Sequence, residues 1–280
     1  MRRGLISVDA LTARLEEVGQ GLAVVDMRKD RADGLPGIPG SAWVDLHDGF
    51  AQRRPDRALN YDLPRPEELA ASLSRLGIGP GTEVVFADDM LNRWATRAYW
   101  VLRYYGHEGQ VHVLDGGLER WRRQGAPTAP GWSVPVAADY PVPGAGDESI
   151  RATAEQLRDG VALGVAIACD VRTDDEYTGA VAMAARGGRV PGAVHVQWDR
   201  ALAADQTFLP DAELAEVLSP FISPDREAIP YCQGGIRASL TWFCLHELLG
   251  LPARLYAASW EEWGARHDLP VDNSASSQTG

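Results

Sequence analysis

The chain has 280 residues, of which 45% are hydrophobic and 24% charged, a composition typical of a soluble globular protein. Its formal net charge of −12 argues against a binding surface for nucleic acids or for anionic membranes, and no apolar run is long enough to span a bilayer. Three scattered cysteines are too few for a disulfide framework or a structural zinc site, so a reducing cytoplasm is the expected compartment.

The first half of the chain alternates helices with short apolar strands. Ser7 is the expected N-cap of a first helix that runs to Val18. Residues 51–62 are polar and are expected to form a loop. The other elements expected here are strands at 22–26, 42–44, 83–87 and 111–114, and helices at 66–76, at 92–105 and through residue 121.

After this first half, the same pattern begins again. Residues 127–149 are rich in proline, glycine, alanine and valine, which indicates an extended linker. Thr153 and Gln156 then form a capping box that opens a helix, and an apolar strand follows at 165–169. This strand ends in Asp170-Val171-Arg172, 144 residues after Asp26-Met27-Arg28. Turns, glycines and tryptophans recur in the same order, which indicates a duplicated unit.

Two copies of a unit in which strands alternate with helices predict an α/β fold. Each copy should form a mainly parallel sheet with helices on both faces. The expected boundaries are a first domain at 1–126, the linker at 127–149, a second domain at 150–273 and a disordered tail at 274–280.

The segment with the clearest chemistry is the loop after the strand that ends at Tyr231. Cys232 is followed by Gln233-Gly234-Gly235-Ile236-Arg237 and then by an apolar helical run to Leu249. A helix N-terminus and a glycine-rich turn present unpaired N–H groups to an anion, and Arg237 adds a fixed positive charge. We therefore expect a stabilised, nucleophilic Cys232 thiolate in this loop.

This loop resembles the active-site loop of the rhodanese sulfurtransferases. The related dual-specificity phosphatases use a loop one residue longer, C-x5-R, whereas the spacing here is C-x4-R. A smaller ring of N–H groups suits sulfur better than phosphate. The duplicated layout is similar to that of the tandem-domain rhodaneses, and the resemblance covers nearly the whole chain. It implies two rhodanese-like domains. The first is expected to be catalytically silent, because Asp88 stands at the position of the cysteine.

The resemblance also implies a set of substrate-binding residues. These are the loop residues Gln233, Gly234, Gly235, Ile236 and Arg237, with Arg186 preferred over Arg189 as a second arginine for the donor anion. Asp170 and Arg172 are expected to form an ion pair that braces the loop. Two departures from the family are Gly234, where the mammalian-type thiosulfate enzymes carry lysine, and Ala257-Ala258, where the family commonly has Asp-Gly.

The expected function is therefore transfer of a sulfane sulfur from thiosulfate to cyanide or a thiol through a Cys232 persulfide. No metal or organic cofactor is implied, and the chain is expected to be a monomer that binds neither nucleic acid nor membrane. Three alternatives stay open: a 3-mercaptopyruvate sulfurtransferase, a phosphatase, and a non-catalytic sulfur-carrier or interaction protein.

Overall fold

The protein, seen in a computed structural model that describes residues 2–17, 21–31, 36–57 and 59–274, forms two compact units. Unit 1 comprises Met1–Ala51, Pro64–Asp147 and Leu202–Phe208, and unit 2 comprises Gln52–Leu63, Glu148–Ala201 and Leu209–Gly280. The domain boundaries expected from the sequence stay predictions. The expected tail beyond residue 274 and the expected helix end at Val18 lie outside the described residues.

The described secondary structure follows the expected alternation of strands and helices. The strands are β1 Leu5–Ile6, β2 Leu22–Asp26, β3 Pro36–Gly37, β4 Ala42–Trp43, β5 Gln52–Arg54, β6 Leu59–Asp62, β7 Glu83–Ala87, β8 Val111–Leu114, β9 Ala129–Pro130, β10 Ala166–Asp170, β11 Val194–His195 and β12 Glu227–Tyr231. The helices are α1 Val8–Glu16, α2 Pro66–Arg75, α3 Arg93–Tyr104, α4 Gly117–Arg123, α5 Ala154–Ala162, α6 Asp174–Thr178, α7 Asp211–Val217, α8 Ile236–Trp242 and α9 Ser259–Ala265, with a π-helical segment at Phe243–Leu248.

Each unit contains a parallel sheet with the same strand order. In unit 1 the order is β1-β8-β7-β2-β4. In unit 2 the order, written from the opposite edge, is β11-β10-β12, which corresponds to β4-β2-β7. Single parallel bridges from Ala228 to Ala253 and from Arg151 to Leu255 continue the sheet beyond β12. The predicted α/β fold of two similar domains, each with a parallel sheet flanked by helices, is confirmed.

Local sequence signals place the helix starts as expected. Ser7 accepts a hydrogen bond from the amide of Ala10 at 3.2 Å, and Thr153 and Gln156 form the predicted reciprocal capping box. These caps depend on residues three positions apart, so sequence alone could identify them.

The expectation of a loop at 51–62 was wrong. Residues Gln52–Arg54 and Leu59–Asp62 form an antiparallel hairpin, β5 and β6, that belongs to unit 2. Its strands are short and polar, and only Leu59 of β6 is buried, so the apolar alternation that reveals a strand in a sequence is missing.

Within the described residues, the chain has no helix with both the length and the apolar character needed to cross a bilayer.

Candidate active site

The Cys232 loop lies at the carboxyl end of β12, between that strand and α8. Cys232 follows Tyr231 directly and is 1% exposed. Gly235 is the N-cap of α8 and has a φ of 81°. A Cβ atom on Gly235 would lie 2.2 Å from the carbonyl oxygen of Ala257, so only glycine fits this turn.

The amide N–H groups of residues 233–238 have no hydrogen-bond acceptor within the described part of the chain. They belong to the turn and to the first turn of α8, where N–H groups lack helical partners. Successive free amides of this kind form a concave site for an anion. The loop therefore offers a ring of donors immediately after Cys232.

Unit 1 contains the corresponding loop with a carboxyl group in it. Asp88 follows β7, and its carboxyl group is buried. One oxygen accepts the N–H groups of Met90 and Asn92, both at 2.9 Å, and the other accepts those of Trp94 and Ala95 at 2.8 and 2.9 Å. Burial raises the pKa of Asp88, and the four N–H donors act in the opposite direction.

Adding the offset of 144 to the numbers of the residues whose amides bind Asp88 gives residues of the Cys232 loop and the start of α8. The residues that correspond to Met90, Asn92 and Trp94 are Gly234, Ile236 and Ala238. The amides of these three residues have no hydrogen-bond acceptor within the described chain. Ala95 corresponds to Ser239, whose amide instead bonds to Gly235. In unit 1 these amides bind the carboxyl group of Asp88. The two backbones differ in one respect, since Asn92 is left-handed, with a φ of 63°, whereas Ile236 is the first residue of α8.

Ser259 holds the Cys232 backbone from the start of α9. Its Oγ accepts the Cys232 N–H at 3.1 Å and donates to the Tyr256 carbonyl at 2.9 Å. Ser259 is fully buried and has a φ of 54°, a left-handed conformation that costs energy in any residue except glycine. The amide of Leu118 donates to the Asp88 carbonyl as that of Trp260 donates to the Cys232 carbonyl, so Gly117 corresponds to Ser259. Gly117 has the same left-handed conformation, with a φ of 58°. Ser259 therefore keeps a strained backbone together with a hydroxyl that unit 1 lacks.

If Cys232 carries sulfur as the sequence predicts, we expect Ser259→Gly to slow its loading by about tenfold, because the loop would lose a hydrogen bond that orients the Cys232 backbone. Glycine relieves the backbone strain, so the free energy of unfolding should change by less than about 1 kcal/mol. Rapid-quench mass spectrometry and urea denaturation measure the two effects. The matched control is Ser259→Ala, which keeps the backbone strain and removes the hydroxyl. This variant should load sulfur slowly and should also have a lower free energy of unfolding than the wild type. An unchanged loading rate in both variants would show that Ser259 has no positioning role.

Arg237 is held by a buried carboxylate that the sequence analysis did not single out. Its two terminal nitrogens donate to the two oxygens of Glu176 at 2.6 and 2.8 Å. Burial of Glu176 acts to raise its pKa, but the hydrogen bonds and charge of Arg237 outweigh burial and lower that pKa to about 2. Burial acts to lower the pKa of Arg237, but the hydrogen bonds and charge of Glu176, together with Cys232, outweigh burial and raise that pKa.

A local signal could have identified Glu176 as an ordered residue. It is the third residue of a capping box with Thr173, whose N–H and hydroxyl donate to Glu176 at 3.2 and 3.0 Å. The T-x-x-E pattern is visible in the sequence. Its partner Arg237 lies 61 residues away, so the sequence does not reveal that contact.

Arg186, which is expected to bind the donor anion, is bonded to backbone carbonyls in the structure. Its guanidinium donates to the carbonyls of Gly264, Leu269 and Trp263 at 3.1, 3.0 and 2.7 Å and also to that of Arg266. Three of these carbonyls lie at the end of α9, where helical carbonyls lack partners and the helix dipole is negative. Arg186 therefore caps a helix.

Arg189, the alternative to Arg186, is also engaged elsewhere. It forms an ion pair with Asp272 at 2.8 Å and its guanidinium lies 4.6 Å from the ring centre of Tyr177. Neither arginine before the Pro191-Gly192 turn is therefore available as the second arginine that the resemblance implied.

The predicted ion pair between Asp170 and Arg172 is confirmed. The two side chains are 0% and 2% exposed and their closest oxygen and nitrogen atoms are 2.6 Å apart. Arg172 also donates to the Gly188 carbonyl, and the hydroxyl of Tyr231, the residue before Cys232, donates to Asp170 at 2.6 Å. The pair thus fixes the strand end that carries the loop.

The hairpin β5–β6 contributes contacts to the loop that sequence reasoning missed. Glu261 is 7% exposed and accepts the backbone and side-chain N–H groups of Asn60, both at 2.8 Å. A Cβ atom on Gly234 would lie 2.7 Å from the ring of Tyr61 and 3.3 Å from the carboxyl carbon of Glu261. A lysine at position 234, as in the mammalian-type enzymes, is therefore incompatible with Tyr61 in this place. The Gln233 side chain donates to the Met183 carbonyl at 3.0 Å.

The other two cysteines are core residues. Cys169 and Cys244 are fully buried, and burial raises the pKa of the Cys169 thiol. Across the described ranges, no cluster of three or more histidine, cysteine or acidic side chains could hold a metal ion.

Comparison with known proteins gives a consistent assignment. A model of the rhodanese-like domain matches the chain twice, at residues 7–124 and 153–266. A thiosulfate sulfurtransferase of Corynebacterium glutamicum is 33% identical over 285 residues, which cover 96% of this chain and 90% of that protein. The sulfur carrier protein TtuD of Thermus thermophilus is 34% identical over 247 residues, 84% of each chain. The structure of wild-type EanB has a TM-score of 0.82 at 21% identity, covering 96% of this chain and 69% of EanB, which is a likeness of fold.

Proposed function

Because the chain belongs to the family of rhodanese-like domain proteins, we propose that it is a sulfurtransferase that carries sulfur on Cys232 as a persulfide. The observation that carries this proposal is the ring of open amides that follows Cys232. The equivalent ring in unit 1 is filled by Asp88, which cannot accept a sulfane sulfur. We therefore assign transfer to unit 2 and a non-catalytic role to unit 1.

The reaction follows from nucleophilic displacement at sulfur. The Cys232 thiolate attacks the outer sulfur of the donor, a new S–S bond forms, and the bond between that sulfur and the rest of the donor breaks. With thiosulfate, sulfite leaves with the bonding electrons. The amides of Gln233, Gly234, Gly235 and Ile236 stabilise the negative persulfide sulfur. Cyanide or a thiol then removes the sulfur and restores the thiolate.

Thiosulfate is the first donor to test, since a relative that covers nearly the whole chain is named for it. Mercaptopyruvate is the alternative donor. Arg237 and Arg186 do not favour thiosulfate over mercaptopyruvate, because both guanidinium groups are engaged by other partners.

The second candidate function is a sulfur carrier that hands sulfur to another protein without turnover on small acceptors. It is favoured by the similarity to a protein named as a sulfur carrier. Both functions use the persulfide and differ in the acceptor.

We expect the intact mass of the protein to rise by one sulfur atom after incubation with a competent donor, and to return to its original value on adding cyanide. Thiosulfate and mercaptopyruvate are tested separately, and peptide mapping should place the sulfur on Cys232. Persulfide formation with slow release to cyanide would favour the carrier. Failure to gain sulfur from any donor would refute both functions.

A further inference from the structure

Unit 1 contains a cleft lined by aromatic and aliphatic side chains. Its volume is about 410 Å³, within the range of small-molecule sites in proteins. The residues that line it all belong to unit 1. Its apolar lining includes two tryptophans and several aliphatic residues, namely Trp43, Trp132, Ala42, Val44, Leu76 and Val134. Val134 is 95% exposed, so the cleft presents apolar surface to the solvent.

The two indole rings are fixed by their own N–H groups. Trp43 Nε1 donates to the carbonyl of Arg28 at 3.0 Å, and Trp132 Nε1 donates to the carboxylate of Asp26 at 3.1 Å. The ring centres are 6.4 Å apart and the ring planes are inclined by 55°. Both tryptophans are half-buried. Because the N–H groups are used inside the unit, the two side chains offer a ligand ring surface and not hydrogen bonds.

Arg31 adds a cation to this aromatic surface. Its guanidinium carbon lies 5.2 Å from the ring centre of Trp43 and 5.8 Å from that of Trp132. The side chain is exposed, and it has no hydrogen bond or ion pair with any other residue that the structure describes. A guanidinium carries its five N–H donors in one rigid plane, which matches the two oxygens of a carboxylate. The cleft therefore holds an oriented fork of donors beside an aromatic surface.

The other arginines at the cleft already have carboxylate partners. Arg28, whose guanidinium lies over one of the same rings, is bonded to Asp26 at 2.9 and 3.0 Å. Arg75 lines the cleft and forms an ion pair with Asp48 at 2.5 Å. Of the charged side chains that line the cleft in the described ranges, Arg31 is the one without a carboxylate. One positive charge is thus in excess, which favours a singly charged anion.

We propose that this cleft binds an organic carboxylate with an aromatic or apolar body. Arg31 holds the carboxylate, and Trp43 and Trp132 pack against the body. A ligand cation is disfavoured, because the guanidinium of Arg31 already lies over both rings. No residue of the Cys232 loop lines the cleft, so the inference does not rest on the proposed function.

The test uses three probes: phenylacetate, acetate, which has the carboxylate alone, and benzyltrimethylammonium, which has the same aromatic body and the opposite charge. Binding is followed by NMR of the indole N–H groups. The chain has nine tryptophans, so Trp43→Phe and Trp132→Phe identify the two signals of the cleft. Both signals should move with phenylacetate, and its affinity should exceed that of each of the other probes at least about tenfold.

Arg31→Gln should weaken phenylacetate binding at least about tenfold, because a charge-assisted hydrogen bond is lost. The matched control is Arg158→Gln, which removes the charge of another arginine, paired with Asp159 in α5 of unit 2. This control should leave the affinity unchanged. Cys232→Ser should also bind phenylacetate as the wild type does, which separates the cleft from the Cys232 loop.

The comparison of the three probes on the wild-type protein does not depend on any variant folding. No binding of phenylacetate at millimolar concentrations would overturn the inference, and so would an equal or higher affinity for benzyltrimethylammonium or acetate. Binding that leaves the signals of Trp43 and Trp132 in place would also refute it. The same holds for an Arg31→Gln variant with the wild-type unfolding midpoint and the wild-type affinity.

Discussion

Replacing Cys232 by serine is expected to lower sulfur transfer by at least about a thousandfold, because a hydroxyl is a poor nucleophile and does not carry a sulfane sulfur. The mass of the variant should not rise with any donor. The fold should survive, since the serine oxygen is smaller than sulfur and has the open amides of the loop as hydrogen-bond donors. Transfer to cyanide and intact mass are the measurements.

Cys169→Ser and Cys244→Ser are the controls for this experiment. Both cysteines are fully buried, and they lie in β10 and in the π-helical segment rather than in the loop. We expect both variants to load sulfur, with losses confined to stability because each places a hydroxyl in the core. Loading of Cys232→Ser at the wild-type level would mean that another group carries the sulfur.

The largest effect on stability is expected from Asp88→Asn. Each Asp88 oxygen accepts two backbone N–H groups, so an amide group in place of either oxygen would face two donors and accept neither. Leaving two buried donors unpaired should cost about 3 kcal/mol in the free energy of unfolding. Urea denaturation, followed by circular dichroism, measures the change.

Asp89→Asn is the neighbouring control for Asp88→Asn. Asp89 is exposed and accepts a single hydrogen bond, from the amide of Lys29 at 3.1 Å. Its replacement should change the unfolding free energy by less than about 1 kcal/mol. If Asp88→Asn lowered the free energy of unfolding as little as Asp89→Asn does, the amides of unit 1 would not require an anion. Unit 1 would then give no support for anion binding by the amides of the Cys232 loop.

Much of the site could be predicted because its signals are local in the chain. The glycine turn, the cysteine and the arginine stand within six consecutive residues, and the order of strand, loop and helix follows from apolar periodicity around them. The ion pair of Asp170 and Arg172 spans two residues and was predicted correctly. The duplication was visible because both copies preserve the order of these short signals.

The partners of the arginines could not be predicted, because an arginine has five donors and accepts any carboxylate or carbonyl that packing brings to it. Arg186 was expected near the donor and instead caps α9, 77 to 83 residues away in sequence. Glu176 looked like one acidic residue among several at the start of a short helix. Its contact with Arg237 exists only once α6 and α8 have packed in unit 2.

The amino-acid sequence by itself determined the duplicated α/β fold, and it predicts Cys232 as the nucleophile and a silent copy that carries Asp88. The tertiary structure alone decided which carboxylate holds Arg237, which hairpin brings Tyr61 to Gly234 and Asn60 to Glu261, and which hydroxyl binds the Cys232 amide. The division has a physical reason. Periodicity, turns and caps depend on residues a few positions apart, whereas the field and shape of a site depend on side chains that only folding brings together.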